Sequence, residues 1–292
     1  MNMSRLHYAR NDPLLPEHST LSPRLAEVAT DAVYSDPVLP PRESLEEGFS
    51  FMQTPRQTIG ILGGMGPNAS ADFLRRILRI ANRRFGAVQD DDFPPIILNS
   101  IGLQGFSVTG VTDVEAVERQ LVSGIQLLDQ AGAQLIAIPC NTVHCCFDAM
   151  TGATKIPILH VAGVTARAVA AAGIRRVGLC SSVTTVRTKL YENACAALGI
   201  DVIIPSSENQ ENVNDVIESV MAGTNDEEEM LALKSVILAL WRRGAEGVIL
   251  GCTELPLAIN QKWTDVPLFD SLALLAQETV KKAYGKQAPE ME

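Results

Sequence analysis

The chain has 292 residues, 46% of them apolar, and a net charge of −10. This length fits one large domain or two lobes, and the apolar fraction is enough for a proper core, which excludes wholesale disorder. With this acidic balance a phosphate-binding surface is not expected, nor is nucleic acid as a partner.

Residues 1–57 form an N-terminal extension, read as a flexible or surface arm. Pro13, Pro16, Pro23, Pro37, Pro40, Pro41 and Pro55 interrupt it, and proline at this density breaks regular elements. Its layout is not that of a secretory signal, and Asp12, Glu17, Glu27 and Asp31 argue against a transit peptide. No apolar run in the chain reaches the ~18–20 residues of a membrane span. The expected location is the cytoplasm, with no membrane partner and with the six cysteines present as thiols.

From residue 58 strands and helices alternate. A short apolar strand at 58–62 runs into the turn Gly63-Gly64-Met65-Gly66-Pro67. A helix over 68–84 follows, with Phe73, Ile77 and Ile80 on one face. Its basic pairs, Arg75-Arg76 and Arg83-Arg84, read as solvated. A strand at 95–99, a helix over 113–130 and a strand at 134–139 complete the first unit. Such alternation implies a parallel sheet covered on both faces.

The layout then recurs. A strand at 176–180 enters the polar turn Ser181-Ser182-Val183-Thr184-Thr185. A helix bearing Met230, Leu233, Ile237 and Leu240 leads through Gly244-Ala245 to a strand at 247–250 and then Cys252. Cys140 follows Gly132, and Cys252 follows Gly244, by eight residues each. The expected fold is therefore α/β, with two pseudo-symmetric lobes, each a parallel sheet flanked by helices. Residues 58–160 plus about 267–286 would form the first lobe and 161–266 the second. Ligands of parallel sheets bind beyond the carboxyl ends of the strands, where both cysteines fall, so the site is expected in the cleft between the lobes.

Pro139-Cys140-Asn141-Thr142-Val143-His144 and Gly251-Cys252-Thr253-Glu254-Leu255-Pro256 each place a cysteine between a buried strand and a helix start. Backbone N–H groups there, with the hydroxyls of Thr142 and Thr253, can stabilise a thiolate or bind a carboxylate. One thiolate can remove an α-proton while the opposing thiol returns one to the other face. Cys180 and Cys195, in apolar segments, read as core, and Cys145 and Cys146 as helix packing. Consecutive residues point in different directions, so His144-Cys145-Cys146 with Cys140 does not make a zinc site. The run Gly64-Met65-Gly66-Pro67-Asn68-Ala69 matches a dinucleotide pattern, but no acidic residue ends the next strand. A tight loop lining a small-molecule cleft is the better use of these glycines. No cofactor and no metal are expected.

The chain resembles the aspartate/glutamate racemase family. The resemblance rests on Ile59-Gly60-Ile61-Leu62-Gly63-Gly64-Met65-Gly66-Pro67, on Pro139-Cys140-Asn141-Thr142 with His144, and on Gly251-Cys252-Thr253-Glu254-Leu255-Pro256. Val177-Gly178-Leu179, Thr185-Val186-Arg187 and Leu190-Tyr191 add to it. It spans about 57–286 and is closest to the aspartate type. It implies an isomerase that is cofactor-independent, works on a small amino acid between two lobes, and forms a homodimer. Cys140 and Cys252 would be acid and base. Asn141, Thr142 and Thr253 would hold the substrate's carboxylate and amine, with Met65, Gly66 and Glu254 in the same cleft.

Aspartate-type members follow the second strand with Asn-x-Pro-x-Ile-Pro-Asp-Arg, whose arginine meets the substrate's side-chain carboxylate. This chain instead has Asn99-Ser100-Ile101-Gly102-Leu103-Gln104-Gly105-Phe106. Phe106 takes the arginine's place, Gln104 lies nearby, and Arg187 is the remaining cationic contact. Aspartate or glutamate is the default that the resemblance implies, and this segment does not itself support a preference for aspartate. The other readings are a hydantoin racemase, decarboxylase or maleate isomerase of the same superfamily, and a non-catalytic binding protein on the same scaffold. The presence of both cysteines favours racemisation.

Overall fold

The computed structural model describes residues 55–107, 110–224 and 226–285, so the extension lies outside the described residues except for its last three. Strand β1 (Ile59–Gly63) is buried along its whole length and is followed by helix α1 (Pro67–Phe85). Strand β2 (Ile96–Ser100), helix α2 (Val114–Gln130) and strand β3 (Leu135–Ala137) come next. All pairing is parallel in the order β2-β1-β3, with Ile59 level with Ile96 on one side and Leu135 on the other. Phe73, Ile77 and Ile80 on α1, and Val117, Leu121, Ile125 and Leu128 on α2, are buried as their helical spacing requires. Short helix α3 (Phe147–Gly152) and helix α4 (Val161–Ala171) end this half.

The second half runs through β4 (Arg176–Cys180), short helices α5 (Val183–Arg187) and α6 (Leu190–Ala196), and β5 (Asp201–Ile203). Helices α7 (Ser207–Ala222) and α8 (Glu227–Arg242), strand β6 (Val248–Leu250) and helix α9 (Leu255–Ala258) follow. Strand β7 (Leu268–Asp270) and helix α10 (Ser271–Tyr284) complete it. This sheet is also parallel, in the order β5-β4-β6-β7. The expected α/β architecture, with two parallel sheets flanked by helices, is the one observed.

The internal repeat extends further than the glycine and cysteine spacing indicates. Gly132 and Gly244 close helices with φ of 89° and 91°, the left-handed region that glycine enters without steric cost. The next N–H turns back in both halves, Ala133 to the Leu128 carbonyl at 3.0 Å and Ala245 to Leu240 at 3.2 Å. Residues 157–159 run parallel to β3 through an Ile136–Ile158 bridge, as β7 runs along β6. Each of these segments ends in a helix cap, His160 for α4 and Asp270 for α10.

The two terminal helices are crossed. Leu272, Leu275, Ala276 and Val280 of α10 pack in one core with Ile59, Ile61, Phe73 and Leu135 of the first half. Ala162, Ala166 and Val169 of α4 pack with Val177, Leu179 and Ile249 of the second. The segment expected to return to the first lobe from about 267 is therefore divided: β7 belongs to the second sheet, and only α10 returns.

Arg76 corrects the reading of a solvated basic pair. It is 2% exposed, and its Nε and Nη1 lie 2.6 Å from Asp72 Oδ2 and 2.6 Å from Asp270 Oδ2 respectively. Its turn of α1 faces α10, so the guanidinium meets the cap carboxylate instead of water. A buried cation is retained only when paired in this way.

Candidate active site

Three segments meet where the halves face each other. The first is the glycine turn after β1. A Cβ on Gly64, whose φ is 97°, would lie 2.1 Å from the Ile101 carbonyl oxygen, so only glycine fits. The Gly64 N–H donates to Ser70 Oγ at 2.9 Å, and Ser70 Oγ donates to the Gly66 carbonyl at 2.9 Å. This donor is thus engaged within the loop, unlike the free N–H groups of a phosphate cradle. Met65 is buried in the same apolar cluster as Cys140, and Gly66 points towards the second half: a Cβ there would lie 3.3 Å from Glu254 Oε1.

The second segment follows β3. Cys140 is 5% exposed. Desolvation pushes its thiol up to about 12, against the pull of the Val143 and Thr142 backbone N–H groups. The helix expected after Cys140 is one 3-10 turn, Thr142–Cys146. Its individual N–H groups, and not an extended helix dipole, therefore act on the sulfur. His144 explains the shape of this turn. Its Nδ1 lies 2.8 Å from the Cys140 carbonyl, and its Nε2 lies 3.3 Å from both the Leu159 carbonyl and the Val161 N–H. With the proton on Nδ1 the shorter contact is a donated bond and the Val161 N–H donates to Nε2. Burial lowers its pKa to about 4, and the ring stays neutral.

The third segment follows β6. Cys252 is half-buried and donates its S–H to Glu254 Oε2 at 3.0 Å. Thr253 Oγ1 donates to the same oxygen at 2.9 Å. The Cys252 thiol is held well above its ordinary value, first by desolvation, then by the Glu254 charge, with a contribution from Cys140. Glu254 likewise raises Cys140. Cys140, Cys252 and Glu254 thus occupy one electrostatic neighbourhood. The element after Cys252, α9, spans only four residues.

Asn141 and Thr142 are engaged between the halves. Asn141 Nδ2 donates to Ser271 Oγ at 3.2 Å, and the Tyr191 hydroxyl donates to Asn141 Oδ1 at 2.5 Å. Thr142 Oγ1 lies 3.1 Å from Ser182 Oγ and 3.0 Å from Thr185 Oγ1. Ser182, Thr185, Tyr191 and Ser271 were not selected from the sequence. The one signal for the first two was the polar turn after β4, which repeats the position of the glycine turn after β1.

Gln104 and Arg187 are exposed. The backbone N–H and carbonyl of Gln104 bond to the Gln120 side chain on α2, each at 3.0 Å, and Arg187 ends α5. Among the described residues no hydrogen bond joins either side chain to the cysteine motifs. Ile101, Leu103 and Phe106 pack against the cluster containing Cys140 and Met65, which makes that wall apolar. Cys180 and Cys195 are fully buried, as expected of core thiols. Cys145 is exposed, which corrects its reading as helix packing: the 3-10 turn directs it outward and Cys146 inward. Among the described residues no cluster of three or more His, Cys, Asp or Glu could hold a metal ion, and no helix is long and apolar enough to cross a membrane.

Residues 62–279 match the Asp/Glu/Hydantoin racemase family. The chain belongs to that family. A broad-specificity amino-acid racemase, RacX of Bacillus subtilis, is 26% identical over 79% of this chain and all of its own length. An aspartate racemase homologue from Pyrococcus horikoshii superposes with a TM-score of 0.67 at 28% identity, covering 78% of this chain and 99% of the other. Picrophilus torridus aspartate racemase does so with a TM-score of 0.67 at 25% identity, covering 80% and 97%.

Proposed function

We propose that this member of the racemase family inverts amino acids with Cys140 and Cys252 as the two proton carriers and without a cofactor. One observation carries the reading. The two cysteines stand at matching places of the repeat, just beyond β3 and β6, Cys140 raises the proton affinity of Cys252, and the Glu254 charge raises both. Before substrate arrives both are thiols. The S–H of Cys252 already faces the Glu254 carboxylate, which can take its proton when the substrate's ammonium brings positive charge. The Cys252 thiolate then removes the α-proton from one face, and the Cys140 thiol protonates the other. This leaves Cys140 as the thiolate, stabilised by the Val143 and Thr142 N–H groups, and that is the starting state for the reverse reaction.

Asn141 and Thr142 hold the Cys140 turn against the second half and present their remaining hydrogen-bonding capacity, with Thr253, to the substrate's carboxylate and amine. Met65 and Gly66 line the opposite side. The apolar wall of Ile101, Leu103 and Phe106 favours neutral or amide-bearing side chains, because an unpaired buried carboxylate is costly. A relative of broad specificity is consistent with this. Acidic substrates would depend on Arg187, the cation that ends α5.

The test is incubation with a panel of L-amino acids in D₂O, reading α-deuterium and enantiomer ratio. Exchange with inversion is expected for neutral substrates, falling ~10²-fold or more in Cys140→Ala and Cys252→Ala. Wild-type turnover by either variant would defeat the two-thiol mechanism.

A further inference from the structure

The turn after Cys140 carries a second pair of thiols that this mechanism does not use. The Cys145 and Cys146 sulfurs are 3.6 Å apart, with Cys146 buried and Cys145 exposed. Cys145 stands on the wall of a cavity of about 850 Å³, together with Phe147, His160, Arg167 and Asn193. The internal repeat gives this cavity a counterpart. Where Asp270 caps α10, the matching junction is closed by Arg76; where His160 caps α4, it stays open, and the Cys145 thiol looks into it.

We propose that Cys145 and Cys146 are a reversible oxidation site, with Cys145 as the attacking thiolate towards a small peroxide entering this cavity and Cys146 as the resolving thiol. Cys145 attacks one peroxide oxygen and becomes a sulfenic acid, and the O–O bond breaks to release hydroxide, which takes up a proton. Cys146 then attacks the sulfenyl sulfur, the S–S bond forms, and the departing hydroxyl leaves as water with the Cys146 proton. In sum two thiols and one hydrogen peroxide give one disulfide and two waters.

Two features suit the assignment of roles. The hydrogen bond from Cys146 lowers the Cys145 thiol to about 7, and the same bond raises Cys146, so attacker and resolver are distinct. Neighbouring Cα atoms are ~3.8 Å apart, below the ~4.4–6.8 Å that disulfides usually span. The ring is therefore strained and readily reduced. Closing it bends the turn on which His144 holds the Cys140 carbonyl. The resulting fall in turnover rests on the racemase reading; the oxidation does not.

The experiment treats the full reduced chain with hydrogen peroxide and follows intact mass and peptide maps. The expected product loses two hydrogens, maps to the peptide containing Cys145 and Cys146, and reverts with dithiothreitol. Cys146→Ser should stop at a sulfenic acid on Cys145, trapped by dimedone. Cys145→Ser should keep basal racemisation and give no disulfide. Iodoacetamide should label Cys145 ~10-fold faster than Cys180 or Cys195. The proposal is overturned if the first oxidised sulfur is Cys140 or Cys252, if the product links two chains, or if the wild type loses no hydrogens. Activity that persists in the oxidised protein would remove only the coupling to turnover.

Discussion

Cys252 Sγ lies 3.0 Å from Glu254 Oε2, so a thiol proposed as proton carrier donates to a carboxylate two residues ahead on its own turn. The charge that raises the thiol is also the nearest acceptor for its proton. Glu254→Gln should separate these effects. Without the negative charge, Cys252 should be alkylated faster by iodoacetamide at pH 8. Racemisation should fall ~10-fold or more, because the amide cannot take the proton. Unchanged turnover would remove Glu254 from the mechanism.

Specificity depends on where cationic charge is available. Arg187→Ala should slow aspartate and glutamate selectively and leave neutral amino acids within ~2-fold, since an acidic side chain needs a charged partner. The measurement is kcat/KM across the panel. A wild type that prefers aspartate over every neutral amino acid would show that another residue supplies the charge.

His144 couples the Cys140 turn to pH. Its pKa falls from 6.5 to about 4 on folding, so between these values the unfolded chain binds a proton that the folded chain refuses. The stabilisation is fully present above pH 6.5 and is lost as pH falls towards 4, by up to ~3 kcal/mol. Urea midpoints at pH 7.5 and 4.5 should therefore diverge more in the wild type than in His144→Asn. Equal divergence in the two proteins would contradict a neutral buried ring.

Arg76→Ala should cost ~3 kcal/mol, because it leaves Asp270 and Asp72 without their buried partner. Arg76→Met, which keeps the volume, leaves the same carboxylates uncompensated and should recover little. Asp270→Asn retains the α10 cap and tests the charge alone. A thermal midpoint unchanged in Arg76→Ala would show that the pair adds nothing to the packing of α1 against α10.

The glycine and cysteine spacing made the repeat and both motifs legible, since burial on both faces forces an apolar strand and a left-handed helix end demands glycine. The strands β5 and β7 were not read, because each is only partly buried and lacks the continuous apolar run that marks the equally short β3 and β6. Arg76 was misread because adjacent arginines look alike in sequence, whereas only one of them faces α10. Tyr191 and Ser271 were missed for a related reason. Their bonds to Asn141 span 50 and 130 residues, and no local pattern records a partner at that distance.

The crossed terminal helices set a timetable for synthesis. The first sheet is covered by α10, which leaves the ribosome roughly 200 residues after β1, a delay on the order of 10–40 s at ordinary elongation rates. During that interval Ile59, Ile61, Phe73 and Leu135 lack part of their apolar cover. A nascent chain arrested before residue 271 should remain open to proteolysis in its first half and be retained by chaperones that hold apolar segments. Release of α10 would then complete the core that β1 begins, after the second sheet has already been translated.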